Sequence, residues 1–371
     1  MKPIKILQVG MSESIGGMET YLMEQYRHLD RKKTQYDFVN ITGNGPMAYS
    51  DEILNNEDKI FSVCRRSLNP LKHYYDWFKF LKCHRGEYAG IVLNACNLYY
   101  VFPMVLSRLM GIPYRIIHSH SSGDALAIGI FRKCLITLNR YLLYWGATDY
   151  WACSDLAGKW MFRGKKFQII HNAIDIDKFS FNSDIRQQKR HELGIENKFV
   201  IGHVGRFSHP KNHEFLINIF NEIYKTEKNA ILLLVGDVVE DDDYCKQTKY
   251  LVREFGLQDK VLFLGLRTDI SEIMQAMDCF VLPSYFEGFS IVGLEAQAAG
   301  LPCFVSDVIT SELAITTLIQ YISLNEDSEV WAKKIVQMEN FHRTNMSSQI
   351  DAAGYNICKE VRKIENFYLT M

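Results

Sequence analysis

Short runs of aliphatic and β-branched residues alternate along the chain with stretches whose apolar positions recur at helical spacing. The first run is I-K-I-L-Q-V-G (4–10), and a glycine pair, Gly16-Gly17, precedes a helix predicted from about Met18 to Leu29. The series continues through Y-D-F-V-N-I (36–41), I-V-L-N (91–94), Y-R-I-I-H-S (114–119), D-Y-W-A-C-S (149–154) and F-Q-I-I (167–170). A polar stretch from Asn182 to Arg190 interrupts it. A second series starts at K-F-V-I-G-H-V-G-R-F (198–207) and runs through A-I-L-L-L-V-G (230–236), K-V-L-F-L-G (260–265), D-C-F-V-L-P-S (278–284) and P-C-F-V-S (302–306). Continuous apolar strands separated by helices predict parallel sheets covered on both faces. Two series with a break near 175–198 predict an α/β protein of two doubly wound, Rossmann-like domains. Ligands of such sheets bind at the C-terminal strand edges, here expected to face one cleft.

Length and composition sharpen this picture. A chain of 371 residues with 47% apolar and 23% charged residues suits two globular domains and excludes disordered or coiled-coil architectures. Nine cysteines at irregular spacing form no C-x-x-C pair, which predicts reduced thiols and a cytoplasmic location. The opening M-K-P-I-K-I-L-Q-V-G is too quickly polar for a signal peptide. Residues 88–107 carry no charge, but Asn94, Asn97 and Pro103 interrupt them, so a strand and a helix are predicted there rather than a membrane span. Net charge is −1 yet unevenly spread: +7 over residues 1–175 and −8 over the rest. The first half is therefore expected to meet something anionic.

Four clusters carry candidate chemistry. P-S-Y-F-E-G-F-S-I-V-G-L-E-A-Q-A-A-G-L-P (283–302) sets a loop before a helix expected from Ser290 to Ala299. A helix start offers unpaired amides and partial positive charge, so Phe289, Ser290 and Ile291 can cradle a phosphate. Glu295, a turn further on, can bind ribose hydroxyls; the alternatives are a helix-start charge at Glu287 and a solvated helix face at Glu295. In G-H-V-G-R-F-S-H-P-K-N (202–212), Arg206 and Lys211 stand past a strand end, where two cations suit a diphosphate or are simply surface charges. The loop M-S-E-S-I-G-G-M-E-T is not G-x-G-x-x-G, which disfavours a dinucleotide site, but Gly16 and Gly17 permit close approach of an anion or sugar. In I-I-H-S-H-S-S-G-D (116–124), strand periodicity points His118 and His120 to one face, and no third ligand nearby completes a metal site.

Together these motifs resemble the GT-B glycosyltransferases of family 4, over nearly the whole chain. The most specific part is G-R-F…K-N, L-V-G, F-L-G-L-R-T-D-I and E-G-F-S-I-V-G-L-E-A-Q-A-A-G-L-P. I-I-H-N-A-I-D-I-D-K-F resembles the family's interdomain segment, with Ala173 where glycine is usual. The resemblance implies the GT-B fold and a retaining, metal-independent, hexosyltransferase-type enzyme that needs no cofactor. Carried over, Glu287 faces the transferred sugar, Glu295 the ribose, Arg206 and Lys211 the diphosphate, and Gly17 the donor from the opposite domain. His120 matches the active-site histidine, with His118 as fallback. Leu266 and Arg267, in the loop ending at Asp269, meet the base largely through backbone atoms. Family members return their last helix to the first domain. The expected boundaries are therefore 1–177 with 352–371, and 178–351. The first half looks most like bacterial exopolysaccharide and capsule enzymes, which implies a UDP-sugar donor and a lipid-linked saccharide acceptor.

Residues 65–85 hold six Lys/Arg and one acid among Tyr74, Tyr75, Trp77, Phe78 and Phe80. That composition suits a helix on an anionic membrane, peripheral on the inner leaflet, or one that packs its aromatics and solvates its cations. No nucleic-acid recognition motif accompanies the charge. The competing functions are a nucleotide-sugar epimerase of the same fold and a catalytically idle partner subunit. Sugar transfer to an acceptor separates the first from a transferase, and donor hydrolysis separates the second.

Overall fold

The computed structural model describes residues 2–43, 45–121, 123, 129–236 and 243–371. The chain divides into two compact units, Met1–Ala173 with Tyr355–Met371, and Ile174–Gly354.

Among the described residues, the first unit holds a seven-stranded parallel sheet. Its strands are β1 (Ile4–Val9), β2 (Thr34–Asn40), β3 (Ile60–Ser62), β4 (Gly90–Ala95), β5 (Tyr114–Ser119), β6 (Asp149–Ala152) and β7 (Gln168–Ile169). Their order is β3-β2-β1-β4-β5-β6-β7, so the direction of winding reverses between β1 and β4. Gly10 follows β1 with φ +123°, and a Cβ there would stand 2.1 Å from Asn94 O of β4. Only glycine allows so close a backbone approach at that conformation. The uncharged stretch around residue 100 forms β4 and the helix Phe102–Met110. No helix among the described residues is long and apolar enough to cross a membrane.

The C-terminal helix Ile357–Leu369 belongs to this first unit and packs beside the helix Gly17–His28. Asn356 caps it by accepting from Cys358 N. Ile357, Val361 and Ile364 are buried, as their spacing predicts, and Phe367 is half-buried against Trp151 at 5.2 Å between ring centroids. Polar anchors fix the register. Glu365 Oε1 accepts from Asp30 N at 2.6 Å, and Glu360 Oε1 accepts from His171 N at 2.9 Å. Tyr368 and Tyr36 share a hydroxyl hydrogen bond of 3.2 Å.

The second unit holds a six-stranded parallel sheet, with order β10-β9-β8-β11-β12-β13. Its strands are β8 (Phe199–Val204), β9 (Ala230–Val235), β10 (Val261–Gly265), β11 (Cys279–Leu282), β12 (Cys303–Ser306) and β13 (Ile319–Ile322). Strands β8, β9, β11 and β12 are buried throughout, which is why they read as unbroken apolar runs. Here the winding reverses between β8 and β11, the point where open α/β sheets bind ligands. The polar stretch 182–190 forms the cap and most of a helix, Ser183–Leu193. Asn182 caps it, and Arg190 Nη2 meets Asp278 Oδ2 at 2.5 Å, so guanidinium bonds rather than an apolar face hold it down.

Candidate active site

The reversal between β8 and β11 brings two sequence-predicted clusters together. The loop after β8 carries Arg206, then a 3-10 turn, His209–Lys211, before the helix His213–Thr226. The loop after β11 carries Glu287, before the helix Ile291–Ala298. Several interactions fasten one loop to the other. Asn212 Nδ2 donates to Pro283 O at 3.0 Å, Tyr285 N donates to Pro210 O at 2.8 Å, and the rings of His209 and Tyr285 stack at 5.1 Å. Beneath them, His203 Nδ1 lies 2.8 Å from Val281 O, joining β8 to β11 by a side chain. Burial pulls the His203 pKa down to about 4, so this link is neutral near pH 7.

Lys211 Nζ lies 2.7 Å from Glu287 Oε2, and both side chains are half-buried. Arg206 is exposed on the same loop, next to the close approach of Gly236 to Gly205 O. Ser290 Oγ accepts from Gly293 N at 3.3 Å and so caps the helix Ile291–Ala298. The first amides of a helix have no intrahelical acceptor, and at this helix start those are at Ile291 and the residues after it. Glu295 is 6% exposed, so the solvated-face alternative does not describe it. Arg267 is tied by Nε and Nη2 to Asp269 at 2.8 and 2.7 Å, while Leu266 beside it is 63% exposed. The Arg267 guanidinium is thus occupied within its own loop.

In the first unit, Gly16 caps the helix Gly17–His28 without a side-chain bond. Glu19 in the first helical turn accepts from Ser12 N and Ser12 Oγ at 3.1 and 2.8 Å, so a carboxylate already lies at this helix start. His118 and His120 lie on one side of β5, their rings 4.0 Å apart. His118 is 1% and His120 8% exposed. His120 Nε2 lies 3.0 Å from Asn94 Oδ1, and His120 Nδ1 lies 3.3 Å from Asn172 Oδ1. Burial pulls the His120 pKa down to about 4, against the raising effect of its Asn172 hydrogen bond, and drives that of His118 well below its ordinary value. A neutral ring has one donor and one acceptor nitrogen. Asn94 Nδ2 donates to Gln8 Oε1 and Val9 O, which orients its oxygen toward His120. The neutral His120 ring therefore has a single N–H for two asparagine oxygens, and either nitrogen can carry it. The S-S-G-D portion of the His120 motif lies partly outside the described residues, at Ser122 and Asp124.

A family model for the group 1 glycosyl transferases matches residues 185–356. EpsF of Bacillus subtilis (strain 168), a glycosyltransferase by name, is 30% identical to this chain over 98% of its length and 96% of EpsF. The chain belongs to the group 1 glycosyl transferases. The UDP-Gal:alpha-D-GlcNAc-diphosphoundecaprenol alpha-1,3-galactosyltransferase of Escherichia coli is 26% identical over 99% of this chain and 97% of that one. Among solved structures, HepE of Anabaena in complex with UDP matches with a TM-score of 0.79 at 21% identity, covering 99% of this chain and 100% of HepE. The fold is GT-B.

Several groups around this glycosyltransferase's candidate site escaped the sequence. Asn94 and Asn172 lie 26 and 52 positions from His120 and are brought to it only by strand pairing and the chain's return past β7. Tyr285 sits inside the quoted motif, but its bridge to Pro210 has no sequence signal. Ser284 Oγ is buried without a partner at the head of the β11 loop, while Ser284 O accepts from Ser306 Oγ at 2.6 Å. Among the described residues, no group of three His, Cys, Asp or Glu side chains converges as metal ligands do.

Proposed function

We propose that this glycosyltransferase is a retaining, hexosyltransferase-type enzyme. It moves a sugar from a UDP-sugar to a lipid-linked glycan acceptor in surface polysaccharide synthesis. The observation that carries the reading is the joining of Arg206, Lys211, Glu287 and the capped helix start at Ser290 at one switch point of the second unit. The named relatives support the substrate classes. The Escherichia coli enzyme is named for a UDP-galactose donor and an undecaprenol diphosphate-linked acceptor, and HepE was crystallised with UDP.

Breaking the sugar–phosphate bond leaves negative charge on the departing UDP. Arg206, Lys211 and the amides of Phe289, Ser290 and Ile291 stabilise that charge as it develops. Because these groups supply the positive charge, the reaction as proposed needs no metal and no cofactor. Glu295 takes the ribose hydroxyls, the Leu266–Arg267 backbone the base, and Glu287 the transferred sugar. His120 of the first unit, with Gly16 and Gly17, acts on the donor's sugar end. The acceptor hydroxyl attacks from the leaving-group side and gives its proton to the departing phosphate, so configuration is retained without a protein nucleophile. Residues 65–85 bring the enzyme to the anionic leaflet that holds such an acceptor. Arg65, Arg66, Lys72, Lys79, Lys82 and Arg85 lie on or flank the helix Pro70–Cys83, from which Tyr75 and Phe78 project while Trp77 is buried.

The test is a screen of nucleotide sugars by thermal shift, followed by transfer to a lipid-linked acceptor. A UDP-sugar is expected to raise the melting temperature most, and the product's anomeric configuration to match the donor's. Stabilisation by another nucleotide alone, or an inverted product, defeats the reading.

A further inference from the structure

The helix Ile130–Gly146 wears its apolar stripe on the outside. Phe131, Leu135, Leu138, Leu142 and Trp145 recur at i, i+4, i+7, i+11 and i+14, which places them on one face. All five are exposed, Phe131 by 85% and Leu138 by 58%. The opposite face, toward the core, carries Asn139 and Arg140 between Ile136 and Leu143. Asn139 Nδ2 donates to Leu98 O at 2.7 Å, and Arg140 Nε donates to Met161 O at 3.1 Å. Ile136 and Leu143, both in the core cluster, and these polar bonds to backbone hold the helix to its unit, and the cluster includes none of the stripe. An ordinary surface helix has a polar outer face. A stripe of this length on a water-facing surface marks an interaction site.

Charge selects the occupant. The helix contains no Asp or Glu. Arg132 and Lys133 stand at its start. At its end, the Arg108 guanidinium lies 4.4 Å from the Trp145 ring centroid and Lys165 Nζ lies 5.2 Å from that of Tyr144. A second copy of the chain, set parallel or antiparallel on this stripe, would bring cations against cations. An anionic lipid surface meets both features, taking the apolar stripe into its acyl boundary and the cations at its headgroups, with Trp145 at the interface. The helix Phe102–Met110 lies between this helix and Pro70–Cys83, and the Tyr74 and Phe102 rings pack at 4.6 Å. The stripe and the basic, aromatic stretch 65–85 thus lie on the two helices that flank Phe102–Met110 in one unit.

We infer that the helix Ile130–Gly146 lies flat on an anionic bilayer and supplies the apolar part of the enzyme's attachment to it. This deepens the lipid-linked-acceptor reading and rests on it for its purpose. The experiment uses the full chain with phosphatidylglycerol–phosphatidylcholine vesicles and no donor or acceptor. The protein is expected to sediment with these vesicles and not with pure phosphatidylcholine. Lipids brominated on their acyl chains are expected to quench a fraction of emission that disappears in Trp145→Phe. Leu138→Glu should weaken the partition coefficient about tenfold or more, the scale of one buried leucine, while leaving UDP affinity unchanged. Wild-type vesicle binding by Leu138→Glu, or emission insensitive to brominated lipid, overturns the inference. So does a dimer in sedimentation velocity that Leu138→Glu dissociates. Intact vesicle binding with no transfer to a short soluble acceptor counts instead against the proposed reaction.

Discussion

Lys211 and Glu287, 76 positions apart in sequence, form a 2.7 Å ion pair that ties the loop after β8 to the loop after β11. The pair sits where a nucleotide diphosphate is proposed to bind. A diphosphate entering there competes with Glu287 for the lysine, and the glutamate is then released toward the sugar. On that proposal the contact holds the two loops together only until the donor arrives.

This arrangement makes the two substitutions unequal. Lys211→Ala should weaken UDP binding by about 1.5–3 kcal/mol, the scale of a hydrogen bond to a charged group. It also leaves Glu287 uncompensated beside the phosphates, so adding Glu287→Gln should restore part of the loss. Glu287→Gln alone should hold or tighten UDP affinity while turnover falls. Calorimetry and product assays on the four proteins check this, and strictly additive losses in affinity would show that the pair is not coupled to the nucleotide.

Arg206 and Glu295 are expected to act on the nucleotide itself. Arg206→Ala should cost UDP about 1.5–3 kcal/mol. Glu295→Gln should weaken UDP and UDP-sugar alike, since the ribose is common to both. A folded Glu295→Gln enzyme that binds UDP normally but turns over slowly would exchange its role with that of Glu287.

The sequence carried the strands of the sheet interiors because burial on both faces writes an unbroken apolar run, as at β9 (A-I-L-L-L-V). It missed β3 and β13, which are short edge strands with half-exposed positions and no such run. The loops at the β8–β11 reversal were legible as motifs, since glycines and charges punctuate strand ends. Their pairing was not, because Lys211–Glu287 and Tyr285–Pro210 depend on strand order rather than spacing. The helix Ile130–Gly146 hid its meaning differently. Its period is plain, but periodicity alone does not say which face is inside; the structure buries the face of Ile136, Asn139, Arg140 and Leu143.

Acid should destabilise both units through buried histidines. Burial lowers the pKa of His120 in the first unit and of His203 in the second to about 4, below the ordinary value near 6.5. Between those values the unfolded chain holds protons that the folded one does not. The stability that hinges on these two groups is therefore complete above about pH 6.5, falls as pH drops toward 4, and changes no further below. At pH 5 each histidine accounts for a loss of about 2 kcal/mol relative to pH 7. Urea midpoints across this range check the slope. His120→Gln, which can bond to both asparagines without titrating, should flatten the dependence of the first unit, and an unchanged slope would remove His120 as its source.

His120 is also expected to position the transferred sugar rather than a metal. Its ring is fixed at both nitrogens, by Asn94 and by Asn172, and Asn94 is itself anchored by Gln8 and Val9. A ring held this way presents a fixed edge and a neutral charge, which suits hydrogen bonding to a sugar hydroxyl once one asparagine yields. His120→Ala should lower kcat about tenfold or more, the lower range for loss of a positioned catalytic group, while UDP affinity, assigned to the second unit, stays within about twofold. Asn94→Ala should lower kcat in the same direction by less, because it frees the ring without removing it. Chelator should leave the wild-type rate unchanged. Activity abolished by chelator, or a fully active His120→Ala enzyme, rules this role out. If His118→Ala shows the loss in its place, the sugar-facing ring is the one two residues earlier on β5.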